Sequence, residues 1–104
     1  MRGDVHRLRI PRDTQGHEQQ GVRYGVVIQS DDFALLSTCL VAPTSTSVRP
    51  ATFRPEVEVR GKPTRVLVEQ ARAVDRGRLG ELVGHLTFDE LRAVDASLRL
   101  MLAV

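Results

Sequence analysis

The chain has no tryptophan, one tyrosine, three phenylalanines, one cysteine and one lysine among its 104 residues. The few rings, Tyr24, Phe33, Phe53 and Phe88, cannot build the stacking platform with which RNA-recognition sheets hold successive bases. A single cysteine, Cys39, excludes an internal disulfide and any cysteine-based zinc site. Between Ser37-Thr38 and Leu40-Val41 it reads as a small buried thiol in a strand. His6, His17 and His85 are scattered without ligand spacing, so no metal or other cofactor is implied. No apolar run approaches the ~20 residues that span a bilayer. The start, Met1-Arg2-Gly3-Asp4, lacks the apolar region of an export signal. The expectation is a cytoplasmic protein with no membrane partner, and Arg2-Gly3-Asp4 is for that reason not read as an adhesion motif.

With 41% hydrophobic and 27% charged residues, the composition is that of an ordinary soluble globular protein. Its length suits one domain, residues 1–104, with one modest core. A net charge of +2 is a mild bias that by itself argues only weakly for a nucleic-acid partner. The kind of base is more telling: apart from Lys62, every basic side chain is arginine. Arginine suits two-pronged phosphate contacts, although a GC-rich coding sequence gives the same skew.

Residues 5–10 alternate, with His6, Leu8 and Ile10 on one face and Val5, Arg7 and Arg9 on the other, as in a half-exposed strand ended by Pro11. Residues 11–21 form a long polar loop, and residues 22–29 a buried strand. Further strands are expected over 37–42, 53–59, 64–69 and 71–74, with Arg60-Gly61-Lys62-Pro63 as a turn. A short helix or 3₁₀ turn is expected around residues 77–83, weakened by Gly80 and Gly84. Thr87-Phe88-Asp89-Glu90 then fits a capping box, with Leu86 and Leu91 placed as a hydrophobic staple. Leu91, Val94, Leu98 and Met101 continue at helical spacing. Short strands and then one amphipathic C-terminal helix predict a small, mostly antiparallel barrel with helical cover.

The densest chemistry lies in Gly16-His17-Glu18-Gln19-Gln20-Gly21-Val22-Arg23, running into Gly25-Val26-Val27-Ile28. It sets an imidazole, a carboxylate, amides and a guanidinium against the start of a buried strand. Such groups can move protons and hold a phosphodiester; they also suit a plain solvated loop closed by glycines. Three further features come in order. Arg2-Gly3-Asp4-Val5 precedes this stretch, Val41-Ala42-Pro43-Thr44-Ser45-Thr46 comes after it, and Glu69-Gln70-Ala71-Arg72 leads to Arg76-Gly77-Arg78-Leu79. The ordered series resembles the MazF/PemK (Kid) family of toxin–antitoxin ribonucleases over nearly the whole chain.

That resemblance implies an SH3-like barrel of the CcdB/PemK type and an endoribonuclease acting without metal on single-stranded RNA. The ribose 2′-hydroxyl would attack the adjacent phosphate, leaving a 2′,3′-cyclic phosphate and a 5′-hydroxyl. It implies catalytic roles for Arg23, Ser45, Glu69 and His17. Arg23 matches the family's loop arginine and would hold the scissile phosphate. Ser45 stands where the family most often has threonine, so Ser45 or a neighbour, Thr44 or Thr46, would supply the hydroxyl. Glu69 stands where Kid-like members have aspartate; an ion pair to Arg72 is its structural alternative. His17 is a proton donor or acceptor, or simply a surface residue. Leu67 replaces an arginine of Kid, and Tyr24 a common proline. RNA contacts are expected from Gln19, Gln20, Thr44, Thr46, Arg49, Arg54 and Gln70. Arg76 and Arg78 match a basic segment that would meet carboxylates of a partner or lie in water. The implied partners are RNA, a cognate antitoxin with an acidic disordered tail, and a second copy in a homodimer. A CcdB-like gyrase poison and a noncatalytic barrel module are the rival readings. The first needs no phosphate site such as Arg23 with Ser45; the second is favoured by Leu67 and Tyr24.

Overall fold

The computed structural model describes residues 1–9 and 23–104, so Ile10, His17, Gln19 and Gln20 lie outside the described residues. Among the described residues, seven strands, β1 Asp4–Leu8, β2 Tyr24–Val27, β3 Thr38–Ser45, β4 Glu56–Val59, β5 Lys62–Val66, β6 Arg72–Asp75 and β7 Leu79–His85, precede one helix, α1 Phe88–Leu102. The sheet runs β4-β5-β3-β2-β1-β7 with antiparallel pairs, and β6 also pairs with β3. It is a curled half-barrel carrying one C-terminal helix. Among the described residues, no helix is long and apolar enough to cross a membrane.

β3 is the spine. One edge meets β2; the other meets β6 along Thr38–Val41 and then β5 at Thr44 and Ser45. Pro43, which has no N–H, falls in the gap between those two partners, where no ladder donor is needed on that edge. Its carbonyl is used, accepting from the Leu67 amide at 2.8 Å. Neighbours in the central strands point to opposite sides. Val26 and Ala42 join a core with Val5, Val57, Val59, Val66, Val68, Leu86 and Val94 of α1. Val27 and Val41 join another with Leu8, Cys39 and Val74. The sheet is therefore covered on both faces, and its buried residues are chiefly β-branched, which suits a pleated surface.

Several sequence expectations shift. β1 buries both Val5 and Leu8, which alternation puts on opposite faces, because each face of the sheet carries a core: Val5 joins that of Val26 and Ala42, and Leu8 that of Val27 and Val41. The β4–β5 turn is only Arg60-Gly61, both with positive φ (53° and 78°), so Lys62 and Pro63 belong to β5. Phe53 and Arg54 precede β4, and Glu69 sits in a 3₁₀ turn, Val68–Gln70, rather than a strand. The expected 3₁₀ turn is confined to Arg76–Arg78, and residues Leu79–His85 form strand β7 on the edge of β1.

The capping box forms as the sequence suggests: the Glu90 amide donates to Thr87 Oγ1 at 3.1 Å, and the Thr87 amide to Glu90 Oε1 at 2.9 Å. The second carboxylate oxygen does another job, accepting the Glu58 amide of β4 at 2.8 Å. Glu90 thus closes a helix end and an otherwise open sheet edge together. Glu90→Ala is expected to lose about 1–2 kcal/mol of stability, read as a lower midpoint in urea with an unchanged slope. An unchanged midpoint would show that neither contact contributes.

Candidate nucleic-acid interface

The opening Arg2-Gly3-Asp4 is structural. Arg2 Nε donates to the Ile28 carbonyl at 2.9 Å, and its Nη2 meets Asp95 of α1 at 2.7 Å, binding the end of β2 to the helix. Gly3 has φ +93°, a backbone conformation that favours glycine, and a Cβ there would sit 3.1 Å from the His85 ring. Asp4 Oδ1 lies 2.7 Å from His85 Nδ1, and Oδ2 lies 3.1 Å from the N-terminal ammonium. Partial burial alone would raise the Asp4 pKa. The hydrogen bonds and charges of His85 and the ammonium outweigh it and hold the carboxyl below its ordinary value. A depressed carboxylate stabilises the fold above its unfolded pKa, and that contribution is lost as pH falls through the folded value. Asp4→Asn is therefore expected to destabilise at neutral pH by about 1 kcal/mol and to match the parent at strongly acidic pH. Urea midpoints against pH test this; a constant gap would refute it.

Arg23 is exposed, immediately before β2, and its carbonyl accepts the Leu8 amide at 2.9 Å. The β2–β3 ladder pairs Gly25 with Pro43, and Arg23 and Ser45 each lie two residues beyond that pair. The backbone register thus directs the loop arginine and the hydroxyl segment to one end of the same hairpin. Along that segment, Thr44 is buried in β3, Ser45 half-buried at its end, and Thr46 exposed. Ser45 Oγ accepts the Ser47 amide at 3.2 Å, a local turn that fixes where the hydroxyl sits.

Glu69 and Arg54 meet each other. Arg54 Nε and Nη2 both donate to Glu69 Oε2, at 2.9 and 2.8 Å. Arg54 Nη1 donates to the Arg49 carbonyl at 3.1 Å, and the guanidinium carbon lies 5.1 Å from the Phe53 ring centroid. The partner of Glu69 is thus Arg54 rather than the neighbouring Arg72, because the 3₁₀ turn faces the segment before β4. Sequence spacing gives no hint of this: fifteen residues separate the two. Leu67, where Kid has arginine, is buried in the core, and its amide fixes the turn to Pro43. Arg49 and Gln70 are exposed. Arg65, opposite Ser45 in the ladder, donates to the Arg54 carbonyl at 2.8 Å and meets Glu56 at 3.3 Å. No sequence signal singled out Arg65. Arg54 and Arg65 also border a groove of about 430 Å³ against Ala93, Ala96 and Leu100 of α1.

Arg76 and Arg78 are half-exposed and bond to backbone carbonyls of the fold. Arg76 Nε donates to the Leu36 carbonyl at 2.6 Å and Arg78 Nε to the Arg9 carbonyl at 2.9 Å. Among the described residues, no group of three or more His, Cys, Asp or Glu side chains could hold a metal ion.

A profile of the PemK-like, MazF-like toxins of type II toxin–antitoxin systems matches residues 1–102. The chain belongs to the PemK/MazF family. It is 43% identical over 96 residues to a Mycobacterium tuberculosis (strain H37Rv) protein provisionally named as a toxin, covering 91% of this chain and 90% of the relative. A mycobacterial endoribonuclease solved with its cognate antitoxin superposes with a TM-score of 0.81 at 13% identity, covering 100% of this chain and 95% of that one. MazF of Deinococcus radiodurans gives 0.78 at 23% identity, with 99% and 96% covered. At these identities the structural likeness establishes the fold alone. This PemK/MazF chain keeps the family's half-barrel, and its Arg54–Glu69 ion pair joins the segment before β4 to the 3₁₀ turn after β5.

Proposed function

We propose that this PemK/MazF chain is the toxin of a type II toxin–antitoxin pair and acts as an endoribonuclease on single-stranded RNA. The observation that carries the reading is the shared end of the β2–β3 hairpin, where Arg23 and Ser45 each stand two residues past the Gly25–Pro43 pair. In-line attack by a 2′-hydroxyl needs a proton acceptor, charge stabilisation on the phosphorane and a proton for the leaving 5′ oxygen. Arg23 holds the phosphate, since a guanidinium stays protonated and offers a planar fork of donors. Ser45 adds a hydroxyl; burial makes Thr44 the poorer candidate for that task. Glu69 is the proton acceptor or a direct RNA contact. His17, Gln19 and Gln20 would act from the preceding loop, and Thr46, Arg49, Arg54 and Gln70 would line the strand's path. The products are a 2′,3′-cyclic phosphate and a 5′-hydroxyl. The setting is the cytoplasm, within residues 1–104 as one domain.

The test is incubation of purified protein with long RNA in EDTA, and then mapping of the ends. Cuts bearing cyclic phosphate support the reading. Intact RNA together with inhibition of DNA gyrase would favour the CcdB-like alternative, and neither activity would leave a binding module.

A homodimer is part of the same reading. Phe33, Leu35 and Leu36 project from the β2–β3 connection, Leu35 fully exposed at 100%. Arg76 bonds to the Leu36 and Phe33 carbonyls hold that connection in place, so apolar side chains are presented on a fixed scaffold. Sedimentation as a monomer at micromolar concentration would count against the dimer. The antitoxin would compete for the phosphate-binding arginines with an acidic tail that folds on binding. Inhibition by such a tail peptide indifferent to salt would oppose that.

A further inference from the structure

The β3–β5 ladder pairs Ser45 with Arg65, and directly opposed residues of an antiparallel pair carry their side chains on one face of the sheet. Thr64 and Val66, on either side of Arg65, are buried, so Arg65 is the residue of that stretch turned away from their core. The β4–β5 ladder in turn pairs Arg65 with Glu56. Arg65 therefore stands one strand from Ser45, on the side of β3 opposite the β2 edge that leads to Arg23. Its two attachments are unequal. Nη1 donates to the Arg54 carbonyl at 2.8 Å, a backbone bond that fixes one side of the guanidinium. Nη2 meets Glu56 Oε1 at 3.3 Å, and that carboxylate is 60% exposed, so this ion pair is weak and open to competition from solvent and solutes. The Arg65 side chain is itself 25% exposed. A guanidinium has five N–H donors, and a phosphate offers it the same spacing of acceptor oxygens as a carboxylate. A phosphate can therefore replace Glu56 on Nη2 while Nη1 keeps its hold on the backbone.

We propose that Arg65 is a phosphate-binding residue of the RNA site, taking a backbone phosphate on the Ser45 face of the sheet, and that Glu56 occupies its guanidinium until RNA displaces it. The inference rests on the ribonuclease reading and adds to it a binding residue and a built-in competitor. It gives the two partners opposite effects on affinity: removal of the cation weakens RNA binding, and removal of the carboxylate strengthens it. A pair that serves the fold alone gives no such gain.

The test is binding of uncleavable 2′-O-methyl RNA to the full chain over a range of salt concentrations, with thermal melts confirming that each variant folds. Arg65→Met should bind roughly 10-fold more weakly. Its slope of log affinity against log salt should be shallower by about 0.7, the counterion share of one phosphate contact on a single strand. Arg65→Lys keeps the cation and should keep the parental slope. Glu56→Gln should bind roughly 3-fold more tightly, and that gain should vanish in the Arg65→Met background. Because Glu56 is exposed, its variant tests the proposal even where Arg65→Met loosens the segment before β4. Parental affinity and slope in folded Arg65→Met, or a Glu56→Gln gain that is absent or survives without Arg65, would overturn the proposal. The ribonuclease reading would then still stand on the parent's cleavage of long RNA in EDTA. A parent that neither binds nor cuts RNA overturns that reading, and this inference with it.

Discussion

Replacing Arg23 by alanine is expected to slow RNA cleavage by about 10²-fold or more while leaving the protein folded. Two separate features lead there. The side chain is exposed, so the fold does not depend on burying it, and the backbone bond from the Leu8 amide uses the Arg23 carbonyl, which alanine retains. Arg23 itself, by contrast, stands at the hairpin end shared with Ser45, where charge develops on a phosphorane under the proposed chemistry. A fixed cation there stabilises the transition state more than the bound strand, so the loss should fall on the rate constant rather than on affinity. Arg23→Lys should rescue poorly, because a point charge cannot reproduce two parallel N–H bonds. Cleavage at the parental rate by folded Arg23→Ala protein would remove Arg23 from the site.

The parts of the fold that local chemistry dictates are legible in the sequence; the parts that only pairing dictates are not. The capping box at Thr87 and Glu90 forms because both partners lie within one helical turn, and the apolar runs around Val26-Val27 and Leu40-Val41 become β2 and β3, which bury neighbours on alternate sides. Strand β7 has no such signature. Its residues are mostly exposed or half-exposed, two of them are glycine, and it exists through an irregular ladder with β1 some seventy residues away. Pro43 and Pro63 act as strand breakers in isolation, yet Pro43 falls where β3 changes partners and Pro63 still pairs with Glu58. The site divides along the same line. Arg23 and Ser45 stand out through motif resemblance, and their shared hairpin end comes from the strand register. The bond between Glu69 and Arg54 has no local signature, and neighbour logic points wrongly to Arg72.

Ser45→Ala is the second change expected to have a large effect on cleavage, about 10–10²-fold, with a stability cost below about 1 kcal/mol. The cost is small because the hydroxyl's partners, the amide and hydroxyl of exposed Ser47, lie in the turn beyond the strand and can bond to water once Oγ is gone. The rate effect is larger because Ser45 is the last residue of β3, set by its pairing with Arg65, so its Oγ is delivered from a rigid strand. Thr46, one residue further, is exposed and outside the strand, and a hydroxyl there is not held in one place. Ser45→Thr separates the hydroxyl from the side chain as a whole: it keeps Oγ, and its added methyl suits a strand position while narrowing χ1. Activity at or above the parental level is therefore expected for Ser45→Thr, with Thr46→Ala nearly unaffected. Single-turnover cleavage of one RNA by the three variants decides the matter. If Ser45→Ala cuts normally and Thr46→Ala does not, the working hydroxyl sits one residue beyond the end of β3, and strand rigidity is not what positions it.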